Sequence, residues 1–188
     1  MHIGRMPAND VQQVQDMVAK TLAYAQAPAG LWQREAAYVA GAPDAGGNFH
    51  AISDEIRFNW LGADMVSQPI YLGTPSYPTY VQANAGTLSS LADGQLFMHW
   101  FGHGSKWNWN GTTETVLGTQ HEPMLTPRTD LPLIAEWGCW TGYFILLRAP
   151  GTITPTRTNY SFSEMLIKSP GKGAVADISA TGARSRIK

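Results

Sequence analysis

Cys139 is the only cysteine in this 188-residue chain. A single thiol excludes an internal disulfide and a four-cysteine metal site. Charge is sparse as well: 14% of residues are charged, and the formal net charge is -1. No basic patch stands out, which argues against nucleic acid as a partner. No apolar run approaches the roughly 20 residues of a membrane helix. The opening Met1-His2-Ile3-Gly4-Arg5 lacks the apolar core of a signal peptide. No internal repeat is visible and no linker divides the chain. Residues 1–188 therefore read as one domain, long enough to bury a sizeable core.

What the chain does have is concentrated in two stretches. Leu96 to Ser105 is an apolar run that delivers His103 between Gly102 and Gly104. Leu131 to Cys139 is a second apolar run, and it delivers the cysteine after Gly138. Five of the seven tryptophans flank these stretches: Trp100, Trp107, Trp109, Trp137 and Trp140.

The elements between them follow from local pattern. Arg5 to Ala8 reads as an extended lead-in. Asn9 caps a helix, with Gln12 completing a capping box. Val11, Val14, Met17, Val18 and Leu22 form its apolar stripe through about Ala25. Ala36–Ala40 is a buried strand, followed by a loop from Gly41 to Asn48. A second helix starts near Ser53 with Ile56, Trp60 and Met65 on its apolar side. Gln68–Leu72 is a brief strand, and Val81, Leu88 and Leu91 mark a helix ending near Asp93-Gly94. Lys106 to Arg128 is a long irregular insert with a turn at Asn110-Gly111. After Cys139 come an apolar run at Tyr143–Leu147 and a loop from Pro150 to Thr158. A short helix capped by Ser161 or Ser163 and a last strand, Ala174–Ile178, complete the chain. Strands alternating with helices predict an α/β fold, a mainly parallel sheet with helices on both faces. Ligand sites in such sheets lie beyond the carboxyl ends of strands. His103, Cys139 and the 41–48 loop all fall at that edge.

The residue types suit nucleophilic catalysis. A thiolate is the nucleophile, and a nearby imidazole can take its proton and later hand it to a leaving amine. Backbone N–H groups at Gly104 and Cys139 are candidate donors to the developing oxyanion. The order, His before Cys, differs from the papain pattern, and Gly138-Cys139-Trp140 does not match the caspase pentapeptide. The bland alternatives are a buried cysteine acting as a small hydrophobe and a structural histidine.

The segments Gly102-His103-Gly104-Ser105 and Cys139-Trp140-Thr141-Gly142-Tyr143-Phe144 resemble the two active-site segments of the gingipain family of cysteine peptidases. Further segments resemble that family in the same order: Ile3 to Ala8, Val39 to Asp54, Ser161 to Leu166 and Gly171 to Ala176. The resemblance implies a caspase-like α/β sheet, with His103 as general base and acid and Cys139 as nucleophile. It implies a cysteine endopeptidase acting on polypeptides, exported by a bacterium to the medium or the cell surface. Relatives also include sortase-like transpeptidases that process exported proteins. No cofactor is implied, and a structural calcium is not legible in the residues. By the same comparison the chain begins after the family's first strand and helix and stops soon after Gly182. The expectation is a partial domain, with flanking segments of a longer chain as partners.

Other residues carry weaker expectations. An acid often orients the histidine in such sites, and Asp44 is the nearest candidate, since Gly41-Ala42 occupies the stretch where polar residues are expected. Asp54 matches a position that holds a basic substrate side chain in some members; alternatively it is a first-turn helix acid. Trp107 and Trp109 could wall the substrate cleft or simply pack, and Trp140, with Trp137, narrows the pocket.

Two rival functions use the same residues. His99, His103 and His121 could ligate zinc, but Gly102 and Gly104 disfavour a helix there, and Trp100 replaces the catalytic glutamate of the zincins. A non-enzymatic domain could instead use the tryptophans for adhesion or carbohydrate binding. Gly171-Lys172-Gly173 lacks P-loop spacing, and Ala174 stands where a magnesium-binding hydroxyl belongs.

Overall fold

The computed structural model describes residues 4–110, 114–144 and 160–183. Five short segments become strands: β1 (Glu35–Ala40), β2 (Val66–Tyr71), β3 (Phe97–Phe101), β4 (Leu133–Glu136) and β5 (Ala176–Ser179). They pair in the order β2-β1-β3-β4-β5, and every pairing is parallel. From β1 the chain steps outward to β2, then crosses back to lay β3 on the other side. The loops after β1 and β3 therefore diverge at one crevice, the place where such sheets bind ligands.

The helices are α1 (Val11–Ala25), α2 (Phe49–Asn59), α3 (Tyr80–Asp93) and α4 (Phe162–Lys168). Alternation along the strands supplies two cores. Ala37, Val39, Ile70, Met98, Trp100 and Ile134 pack with Ala83 and Leu91 of α3 and with Phe162, Met165 and Leu166 of α4. Ala36, Tyr38, Ala40, Tyr71 and Phe101 pack with Phe49, Ile52 and Ile56 of α2. Val39, Ile70 and Met98 are wholly buried. Each contributes roughly 1.5–3 kcal/mol by leaving water.

Several local expectations change. The cap of α1 is Asp10, whose carboxylate accepts from Gln13 N at 2.8 Å; Asn9 instead donates its N–H to the Gln13 side chain. Val11, Val14, Val18 and Leu22 face outward, while Met17 and Lys20 are buried. The reason is that α1 seats on α4. There the Lys20 ammonium reaches the carbonyls of Leu166, Ser169 and Lys172 at 3.0–3.1 Å. Helix α2 starts at Phe49, because Asn48 caps it by accepting from Ala51 N. Ser53 is thus interior, and Trp60 is exposed just past the helix end. The described parts of the 106–128 insert are more ordered than its composition suggests. It carries a 3₁₀ turn at Thr119–Met124, and bridges at Gly104–Trp109 and Asn108–Gly118 fold it back on itself. Ser161 caps α4 in a capping box with Glu164. Ile3, Gly111, residues 145–147 of the apolar run and the 150–158 loop lie outside the described residues.

Candidate active site

The two reactive loops leave adjacent parallel strands, β3 and β4. Trp137 N donates to Trp100 O at 2.9 Å, extending that pairing by one step. Beyond it the loops touch backbone to backbone. A Cβ on Gly104 would lie 2.8 Å from Cys139 O and 3.0 Å from Cys139 N. A Cβ on Gly138 would lie 3.2 Å from both Gly104 Cα and His103 O. A side chain on Gly104 would clash with backbone, and one on Gly138 would fit only if its neighbours gave way, which is the physical reason for glycine there. The backbones of His103 and Cys139 are themselves part of this contact. The chain then turns sharply: Trp140 takes a left-handed φ of 63°. Its N–H donates to Gly182 O at 3.1 Å and Gly142 N to Ala180 O at 3.0 Å, fastening the turn to the segment after β5.

Asp44 comes from the loop after β1. Its Oδ2 is 2.8 Å from His103 Nε2, and its Oδ1 accepts from Gly46 N at 2.6 Å. The Gly46 N–H, joined by the imidazole, holds the Asp44 carboxyl below the usual carboxylate range. An ionised Asp44 accepting from Nε2–H leaves His103 Nδ1 with its lone pair available as a base. Phe49 meets the imidazole edge to face at 5.4 Å and closes one side of it. Cys139 is half-buried.

The remaining candidates divide. Trp107 is 44% exposed and Trp140 36% exposed, both on the loops that flank the site. The Trp140 ring packs edge-on against Tyr143. Trp109 is fully buried and stacks parallel on Trp100 at 5.0 Å, so it is core and not a cleft wall. Asp54 sits in the second turn of α2, not the first, because the helix begins at Phe49. Its Oδ1 already accepts from Arg57 Nη2 at 2.9 Å and from the Tyr71 hydroxyl at 2.8 Å.

The three histidines of the zinc alternative do not converge. His99 is buried on β3, 3.3 Å from the Ser53 hydroxyl, and burial pushes its pKa down to about 4. His121 Nδ1 accepts from Gly118 N. Among the described residues, no three His, Cys, Asp or Glu side chains could share a metal ion.

Sequence reasoning passed over one buried group at this edge. Glu136 ends β4 and is 1% exposed. Its signal was present: it is the one charged residue in the run from Leu131 to Cys139.

Comparison with known proteins adds to this geometry. The family model for peptidase family C25 matches residues 1–185. The crystal structure of the Arg-specific cysteine proteinase gingipain R superposes with a TM-score of 0.70 at 20% identity, covering 97% of this chain and 40% of that one. The complex of RgpB pro- and mature domains from Porphyromonas gingivalis gives a TM-score of 0.68 at 21% identity, covering 97% and 41%. The chain thus spans about two-fifths of the length of these solved chains. Their likeness extends the shared fold to the five-stranded α/β sheet. No curated protein matches.

Proposed function

The chain belongs to peptidase family C25, and from that premise we propose that it is a cysteine endopeptidase domain working through His103 and Cys139. The observation that carries this reading is the backbone contact between Gly104 and Gly138-Cys139, with Asp44 bonded to the imidazole beside it. In the proposed reaction His103 Nδ1 takes the Cys139 proton, and the thiolate attacks a peptide carbonyl. The N–H groups of Gly104 and Cys139 donate to the resulting oxyanion. Imidazolium then protonates the leaving amine, and water, activated by the same imidazole, hydrolyses the acyl-enzyme. Asp44 orients the ring and stabilises its charged form, as the acid of a triad does.

The substrate is a polypeptide. Asp54 is the candidate for holding a basic side chain, which would have to displace Arg57 from its carboxylate. Trp107 and Trp140 are placed to line the path of the peptide. By likeness to gingipains we place the protein outside a bacterial cell. Among the described residues no helix is long and apolar enough to cross a membrane. The adhesion alternative is weakened, because Trp100 and Trp109 are buried.

Incubation with a mixture of synthetic peptides, read by mass spectrometry, tests the reading. Internal cleavage by the wild type and none by Cys139→Ala is expected. Cleavage that survives in Cys139→Ala contradicts it.

A further inference from the structure

Glu136 takes no part in the chemistry above, yet it touches both halves of the site. Trp109 Nε1–H donates to its Oε2 at 3.0 Å. Trp109 in turn stacks on Trp100, whose Nε1–H donates to the His103 carbonyl at 3.1 Å. On the other side, the buried Thr141 hydroxyl faces Glu136 without a well-formed hydrogen bond to it or to any other group. Thr141 follows Cys139 by two residues. Its carbonyl accepts from Ser163 N at 3.1 Å and lies 3.0 Å from Ser163 Oγ, which is itself 3.5 Å from Glu136 Oε1.

We propose that Glu136 is a positioning residue: it ties the His103 loop, through Trp109 and Trp100, to the Cys139 loop, through Thr141 and Ser163. The inference rests on the dyad reading and adds the element that sets the separation of its two members. Backbone contact at Gly104 brings the loops together. Glu136, buried between the Trp109 N–H and the Ser163 hydroxyl, adds a side-chain tie to each of them.

Such a carboxyl is expensive to bury alone. Asp177 of β5 stands beside it, its own oxygens buried near Glu136, Ser163 and Ser179 without a well-formed hydrogen bond to any of them. Burial first, and then Asp177, push the Glu136 carboxyl well above its ordinary range. Burial also raises Asp177. Two such groups in contact favour keeping a proton between them. Glutamine can therefore stand in for the protonated glutamic acid.

Three variants and two readouts test this. The readouts are the alkylation rate of Cys139 by iodoacetamide and the melting curve. Glu136→Leu removes the acceptor at similar volume and is expected to slow alkylation roughly tenfold or more, since small misplacements of reacting groups carry large rate penalties. Trp109→Phe loses the N–H together with part of the stacked ring; the same direction of change is expected, and if Glu136→Leu does not fold this variant is read against the Glu136→Gln rescue. Glu136→Gln keeps an acceptor for Trp109 and is expected to recover most of the loss. A reactive wild type with the Leu and Phe variants within twofold of it, or a Gln variant as slow as Leu, overturns the positioning role alone. A wild type no more reactive than a small-molecule thiol overturns the dyad and this inference together.

Discussion

His103 Nε2 lies 2.8 Å from Asp44 Oδ2, although 59 positions separate the two residues in the chain. The contact exists because β1 and β3 are neighbours, so the loops that follow them open into the same crevice. Both side chains are about half exposed. An exposed pair of this kind stabilises the fold by less than about 1 kcal/mol, and the role proposed for it is to orient the ring.

Asp44→Asn separates those two roles. The amide can present an N–H toward the imidazole and favour the wrong tautomer. Peptide cleavage is expected to fall by roughly tenfold or more, while the melting temperature moves by no more than a few degrees. An unchanged cleavage rate would remove Asp44 from the site.

Gly104→Ala tests the backbone contact between the loops. The new methyl would meet the Cys139 carbonyl oxygen at 2.8 Å and its nitrogen at 3.0 Å, and neither is a side chain that can swing away. A loss of about 1–3 kcal/mol in unfolding free energy is expected, as for other overpacked sites, with slower cleavage beyond it. Gly4→Ala, which meets nothing within 4 Å, serves as the control and is expected to change neither measurement.

The central strands β1, β3 and β4 were legible because buried parallel strands read as short apolar runs, and the contact of Asp44 with His103 because Asp44 is the only acid in the loop after β1. The orientation of α1 was not. Its Val11, Val14, Val18 and Leu22 stripe has the period of a core-facing surface, yet the helix buries Lys20. Only the distant carbonyls at the end of α4 explain that choice, and no local pattern encodes them. The pairing of Trp109 with Glu136 was missed for a related reason. Each satisfies the other across 27 positions. Read one at a time, a tryptophan in a loop and a glutamate in a strand do not announce a buried pair.

His99 gives an acid signature. Burial lowers its pKa from 6.5 to about 4 in the folded protein. Between those values the unfolded chain binds a proton that the folded protein refuses. Stability therefore falls as pH drops from 6.5 toward 4. Relative to His99→Gln, the wild type is expected to lose on the order of 3 kcal/mol across that window. Denaturant unfolding at pH 7, 5 and 4 checks this; parallel curves would contradict it.

Lys20 gives the opposite window. Burial lowers its pKa from 10.5 to about 7. Above pH 7 the unfolded chain holds the extra proton, so the stability of the wild type relative to Lys20→Met rises from pH 7 toward 10. Thermal melts of both proteins across that range provide the measurement. A difference that stays constant with pH would show that the three carbonyl acceptors keep the ammonium charged.

The most direct test of the central claim is the alkylation rate of Cys139 by iodoacetamide between pH 6 and 7, compared between the wild type and His103→Ala. A dyad predicts that wild-type Cys139 reacts faster than a small-molecule thiol and that the substitution removes the excess. Equal rates in the two proteins would contradict it.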